Sequence, residues 1–157
     1  MKLIHVILIL LFSSSLALAC EVPPAEQNTS DDELISRTKN IVLARVMSAQ
    51  LQENGSVLYK LKTQETIKGK AEEAFEIVGG PLWEGSMEHF EHHSIKGARL
   101  SNAPDCEIHP SFAVGQTYLL FLDKPYHRKS FEFIIRTGGS PIIQDKWLQY
   151  VKKATAL

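Results

Sequence analysis

Cysteine is scarce in this chain of 157 residues: only Cys20 and Cys106 occur, so at most one intramolecular disulfide can form. An excess of one charge is also missing, with 17 Lys and Arg against 18 Asp and Glu and a formal net charge of −1. The two signs are interspersed, which leaves no basic face for nucleic acid and no polybasic patch for a membrane surface. There is no internal repeat and no low-complexity tract. The one long apolar run, Leu3 to Leu11 broken by His5, is shorter than the roughly 20 residues a bilayer-spanning helix needs. Catalytic patterns are absent as well: no Ser-His-Asp order, no glycine-rich phosphate cradle and no paired carboxylates. The expectation is a protein that is not an enzyme.

What is present begins with that apolar run. Lys2 precedes it, Ser13 to Ser15 follow, and the small-x-small tripeptide Ala17-Leu18-Ala19 closes the stretch. This is the layout of a secretory signal cut after Ala19. Residues 1–19 are then a signal peptide and residues 20–157 a single domain, of a length that buries one core. The mature protein is expected in the periplasm or outside the cell, with no transmembrane segment after cleavage, and Cys20 becomes its first residue. Export permits a disulfide. If Cys20 pairs with Cys106, the closed loop spans more than half of the mature chain, for which loop entropy gives roughly 4–5 kcal/mol as an upper figure. The alternative is a lipoprotein anchored through a diacylated Cys20, which leaves Cys106 as an odd thiol. Cysteine parity favours pairing, and so does Ala17, which stands where lipoprotein signals usually carry leucine.

Along the mature chain, Pro23-Pro24 demands extended backbone. Ser30-Asp31-Asp32-Glu33 is a capping box, and it predicts a short helix to about Lys39 with Leu34, Ile35 and Thr38 inward. Ile41 to Gln52 reads as a long strand, and Asn54-Gly55 as the hairpin turn after it. In the partner strand, Val57, Tyr59, Leu61, Thr63 and Glu65 share one face and Leu58, Lys60, Lys62 and Gln64 the other, ending at Ile67-Lys68-Gly69-Lys70. Phe75 to Val78 is a third strand, Thr117 to Leu122 a buried fourth and Phe131 to Arg136 a fifth. Ser140-Pro141 opens a last helix as N-cap and first-turn proline. Its buried face is Ile143, Trp147, Tyr150 and Val151; Lys152 and Lys153 suit its C-terminal end. Asp145, Lys146 and the terminal lysines read as its solvated side.

Five strands, a long first hairpin and a cysteine opening the mature chain point to a mainly β protein: a five-stranded Greek-key barrel of the OB type, with a short N-terminal helix and a C-terminal helix. The order Cys20, Pro24, helix, Asn40-Ile41-Val42-Leu43-Ala44-Arg45-Val46, Ile67-Lys68-Gly69, Cys106 and Val114-Gly115-Gln116-Thr117-Tyr118-Leu119-Leu120 resembles the netrin-like N-terminal domain of the tissue inhibitors of metalloproteinases and their bacterial relatives, from Cys20 to about Arg136. The resemblance implies a Cys20–Cys106 disulfide. It also implies an inhibitory edge of Cys20, Glu21 and Val22, with the α-amine and carbonyl of the first cysteine chelating a protease's zinc, a metal with an open position. The partner would be an extracytoplasmic protein such as a metalloprotease. Two departures stand out. Glu21 replaces the family's usual small hydroxyl residue, and Val22 replaces its next cysteine.

A second candidate site lies in the irregular stretch between Gly80 and Pro104, long enough for a functional loop. Glu88-His89-Phe90-Glu91-His92-His93 gathers three imidazoles, and on a helix His89 would share a face with His92 or His93. Those three, joined by His109, could hold Zn²⁺ or Cu²⁺. The spacing is not the HExxH pattern. The plain reading is a solvated loop with no cofactor; the functional one is a periplasmic metal-binding protein. Asn28-Thr29-Ser30 and Asn54-Gly55-Ser56 match the glycosylation sequon, the second better explained as a turn.

Overall fold

A computed structural model describes residues 25–80, 107–134 and 145–156. The signal segment, both cysteines and the histidine-rich loop lie outside them. The described chain runs through a 3-10 turn (Ala25–Gln27), α1 (Asp31–Arg37), β1 (Ile41–Leu51), β2 (Val57–Lys68), β3 (Ala74–Gly79), β4 (Thr117–Phe121), β5 (Phe131–Phe133) and α2 (Lys146–Thr155).

The capping box acts as its residues dictate. Ser30 Oγ accepts from the Glu33 amide at 3.2 Å, and three acids occupy the first turn of α1. The helix stops two residues short of Lys39. Thr38 leaves helical φ/ψ, and its amide and hydroxyl both donate to the Leu34 carbonyl. Two further carbonyls at this end, of Ile35 and Ser36, accept from Lys68 Nζ at 2.7 and 2.9 Å. Lys68 on β2 thus caps carbonyls 33 and 32 residues away in sequence, satisfying groups that a helix end leaves orphaned.

All strand pairs are antiparallel, and they make one sheet in the order β3-β2-β1-β4-β5. The two outer strands are not paired with each other among the described residues. The β1–β2 hairpin closes through a three-residue loop. Gln52 N donates to Ser56 O at 2.8 Å and Gly55 N to Gln52 O at 3.0 Å, with Gly55 at φ 81°. Glycine in the left-handed region is what the third position of such a loop requires. Asn54 Oδ1 accepts from the Ser56 amide and hydroxyl, so this tripeptide is a turn.

Three register shifts interrupt the β1–β2 ladder, leaving Met47, Gln64 and Ile67 as the extra residues. Each such bulge bends and twists its strand. The shift at Gln64 corrects the expected alternation. Thr63 pairs with Ala44, on the face where Val42, Val57, Tyr59, Leu61, Ile77, Tyr118 and Leu120 form one core. Glu65 pairs instead with Leu43, on the opposite face, and reaches Lys152 of α2 at 2.7 Å. One inserted residue flips Glu65 and Thr66 to the other side, until the second shift, at Ile67, restores the count for Lys68.

The sheet therefore has two cores. On the first face Phe112, fully buried, meets Tyr59, Tyr118 and Phe131 edge to face at centroid distances of 5.0, 4.9 and 5.7 Å. On the second, Ile41, Leu43, Leu119 and Phe121 pack under Leu34 and Ile35 of α1 and Leu148 and Val151 of α2. β4 is buried along its whole length and β1 along its first four residues, because both face a core on each side.

α2 begins later than the serine–proline pair predicts. Its N-cap is Asp145, whose Oδ1 accepts from the Leu148 amide at 2.9 Å. Asp145 is only 3% exposed, so it is a buried cap and not part of a solvated face. Starting at Lys146 places Leu148 and Val151 inward, with Trp147 half-buried and stacked on Phe121. Tyr150 turns outward, its hydroxyl donating to Asp32 of α1. Ser140, Pro141 and Ile143 lie outside the described residues, as does the end of the fifth strand expected to reach Arg136. Among the described residues no helix is long and apolar enough to cross a membrane.

Candidate functional site: the anchored N-terminal edge

The residues proposed for chemistry fall largely beyond what the structure describes. Cys20, Glu21, Val22, His89, His92, His93 and Cys106 all lie outside the described residues. His109 is described; it sits half-buried in an isolated bridge beside the Pro110 carbonyl that accepts from Gly80 N. Among the described residues no group of three or more His, Cys, Asp or Glu side chains could hold a metal ion. What is visible is the base from which the N-terminal edge springs.

That base is residues 25–30, and polar contacts hold it. The 3-10 turn Ala25–Gln27 buries none of its residues. Arg37, at the end of α1, donates from one Nη2 to Glu26 O at 2.8 Å and to Pro125 O at 3.2 Å. The Arg128 amide donates to Gln27 O at 3.2 Å, and His127 Nε2 lies 3.0 Å from Thr29 O. The chain ahead of α1 is thereby laced to the loop 122–130 that joins β4 to β5.

His127 is the centre of this lacing. It is completely buried. The Lys129 amide donates to its Nδ1 at 3.1 Å, which makes Nδ1 the acceptor and assigns the proton to Nε2, facing the Thr29 carbonyl. The His127 amide in turn donates to Ser130 Oγ. Burial pushes the imidazole down to about 4, with Arg128 and Arg37 adding to the effect. At neutral pH the ring is uncharged.

The same loop also receives the residue that follows Cys106. Glu107 pairs with Lys124 at 3.5 Å, a half-exposed contact. Tyr126 beside it has its phenol raised by burial and further by the Glu107 and Asp123 carboxylates. Ile108 and Phe112 then enter the first core. At the other end of the loop, Asp123 Oδ2 accepts from the Lys39 and Asn40 amides at 2.8 and 2.9 Å. Asn40 Oδ1 accepts from Lys70 N at 3.0 Å and Asn40 O from Leu122 N at 3.0 Å. Gln27, Thr29 and Glu107 are held by this loop directly, and Glu26 through Arg37 of α1.

The family-like motifs have local physical meanings. In Ile67-Lys68-Gly69, Lys68 caps α1, and Gly69 lies at φ 77° against the Lys39 carbonyl. In Val114-Gly115-Gln116-Thr117-Tyr118, Gly115 N donates to Val46 O and Val46 N to Gln116 O. The Tyr118 hydroxyl accepts from the Ala113 amide at 2.9 Å, and burial pushes its phenol to about 12. His127 carries no motif of its own. Its only sequence signal is the short His127-Arg128-Lys129-Ser130 interval between two buried strands, which admits a tight turn but does not name its partner. Compared with known proteins, the chain matches no family model and no curated protein.

Proposed function

We propose that the chain is an exported, disulfide-closed binding module of OB type, not an enzyme, which engages an extracytoplasmic protein such as a metalloprotease through its N-terminal edge, Cys20, Glu21 and Val22. The observation that carries the reading is the lacing of residues 26–29 to the 122–130 loop. An edge that acts as a wedge needs a rigid base, since ordering a loose segment on binding costs affinity. Strand order supports the fold assignment: joining the free edges of β3 and β5 would close the sheet into a five-stranded barrel with no bare edge. The clasp has support of the same kind. Cys20 lies five residues before Ala25, a reach of about 17 Å at full extension. Cys106 directly precedes Glu107, which is tied to Lys124, while Arg37 ties Glu26 to the adjoining Pro125.

Glu21 gives the reading its particular form. An anion buried in an apolar pocket is costly, so the partner's pocket offers a cation or polar donors to the second residue. The test is a metalloprotease panel assayed with the processed protein and with a version carrying one extra N-terminal residue. Inhibition by the processed form alone is expected; inhibition by both equally, or by neither, overturns the reading. Non-reducing intact mass reports the clasp separately, and a diacylglyceryl mass on Cys20 would replace it with a lipid anchor.

A further inference from the structure

The contacts that anchor residues 25–30 pass through a buried imidazole whose two nitrogens are both committed in the neutral state. Nε2 faces the Thr29 carbonyl and Nδ1 accepts the Lys129 amide. A second ring proton would point at the Lys129 N–H, donor against donor, so the cation cannot keep this geometry. Nor do the surroundings welcome it. From α1 come Arg37 and Asp31, and from its own loop Arg128. The one carboxylate among these, Asp31, already pairs with Lys129 Nζ at 2.7 Å. Glu26 of the 3-10 turn meets Arg37 through its carbonyl, and α2 reaches this corner through Tyr150 on Asp32.

We propose that His127 is an acid-sensitive latch: protonation of its imidazole frees residues 25–30 from the 122–130 loop while the sheet stays folded. The segment is suited to open by itself. Its 3-10 turn buries no residue, and its ties include the Arg37, His127 and Arg128 contacts. The added proton leaves Nε2 donating to Thr29 but breaks the Lys129 bond to Nδ1 that holds the ring. The buried cation reaches water most readily where this weakly buried segment covers it. The strands are held independently by the two cores. Local opening of a weakly buried terminal segment lies at the low end of the stability range. The folded ring binds its proton less readily than the exposed one, so acid favours the open form, and opening increases as pH falls from the ordinary histidine value, 6.5, toward about 4. The latch does not depend on what the N-terminal edge binds.

The experiment is amide hydrogen exchange by NMR on the full chain between pH 7 and 4, corrected for intrinsic rates, alongside the imidazole titration of His127. The Arg128 and Lys129 amides are expected to lose protection together, by up to about tenfold per pH unit for one linked proton, while β1 and β4 amides hold. The H127Q variant keeps a donor near Thr29 O and does not titrate, so its exchange should be flat over this range. D31N removes the facing anion and should move the wild-type transition to lower pH. Simultaneous opening of the β1–β4 ladder would overturn the proposal, as would a transition that survives in H127Q or disappears in D31N. Should H127Q fail to fold, the wild-type midpoint must still coincide with the His127 titration, and a mismatch refutes the latch.

Discussion

Gly69→Ala is the sharpest single test of how this fold is knotted. Gly69 sits at φ 77°, and a Cβ there would run into the Lys39 carbonyl oxygen and lie 2.6 Å from Asn40 Oδ1. The conformation alone costs a non-glycine residue about 1–2 kcal/mol. The contact costs more, because its neighbours are fixed: Asp123 holds the Lys39 and Asn40 amides, and Asn40 Oδ1 holds Lys70 N. Retreat sacrifices one or two of these bonds at about 1 kcal/mol each. The total is about 2–4 kcal/mol. Gly55→Ala supplies the control, since Gly55 has φ 81° and nothing within 4 Å of the new Cβ, so only the conformational part remains. Gly79→Ala supplies the converse, a clash with the Pro110 carbonyl without a positive φ. Urea unfolding with matched m-values reads all three. Gly69→Ala is expected to exceed Gly55→Ala by about 1–2 kcal/mol, a factor of roughly 5–30 in the folding constant. Equal losses at the two sites would show that the Lys39–Asp123 knot yields freely, and would refute the reasoning.

Two other outcomes follow from the same structure. Lys68→Met strips the cap from the Ile35 and Ser36 carbonyls and should cost about 2 kcal/mol in urea unfolding, as expected for hydrogen bonds to a charged donor; no change would mean those carbonyls find water. Tyr118 binds its proton more tightly folded than unfolded, so its contribution is complete below pH 10 and lost as pH rises toward about 12. Ultraviolet titration should show Tyr118→Phe removing a phenolate transition near 12, and its removal near 10 instead would place Tyr118 in water.

Where a residue's role depends on near neighbours, this sequence announces it. Ser30 and Glu33 stand three apart and meet as a cap; Asn54-Gly55 makes a turn; the apolar alternation from Val57 to Leu61 reaches the core as read. Roles set by distant chain were not legible. Glu65 changes faces because of a register shift that only its pairing with β1 reveals. Asp145 looks like one more helix-surface acid until its own burial is known. His127 was missed for a related reason, since its partner is a backbone carbonyl 98 residues away, and carbonyls leave no trace in side-chain spacing. The site read from Cys20 and the histidine loop was legible as chemistry only, and it lies outside the described residues. What the structure adds is the anchoring of residues 26–29 by Arg37, His127 and Arg128.

The bulge at Gln64 has a consequence for how this protein tolerates change. A strand is usually treated as one evolutionary unit, but β2 is two half-strands out of phase. Residues 57–61 answer to Phe112 and β3, whereas Glu65 and Lys68 answer to α2 and α1. Substitutions in one half can be compensated without disturbing the other. Deleting Gln64 would straighten the strand and still leave Glu65 opposite Leu43. Closing the bulge with Gln64 retained would instead pair Gln64 with Leu43 and swing Glu65 to Val42 and the aromatic interior. Gln64 matters less for its side chain than for the one step it adds to the count.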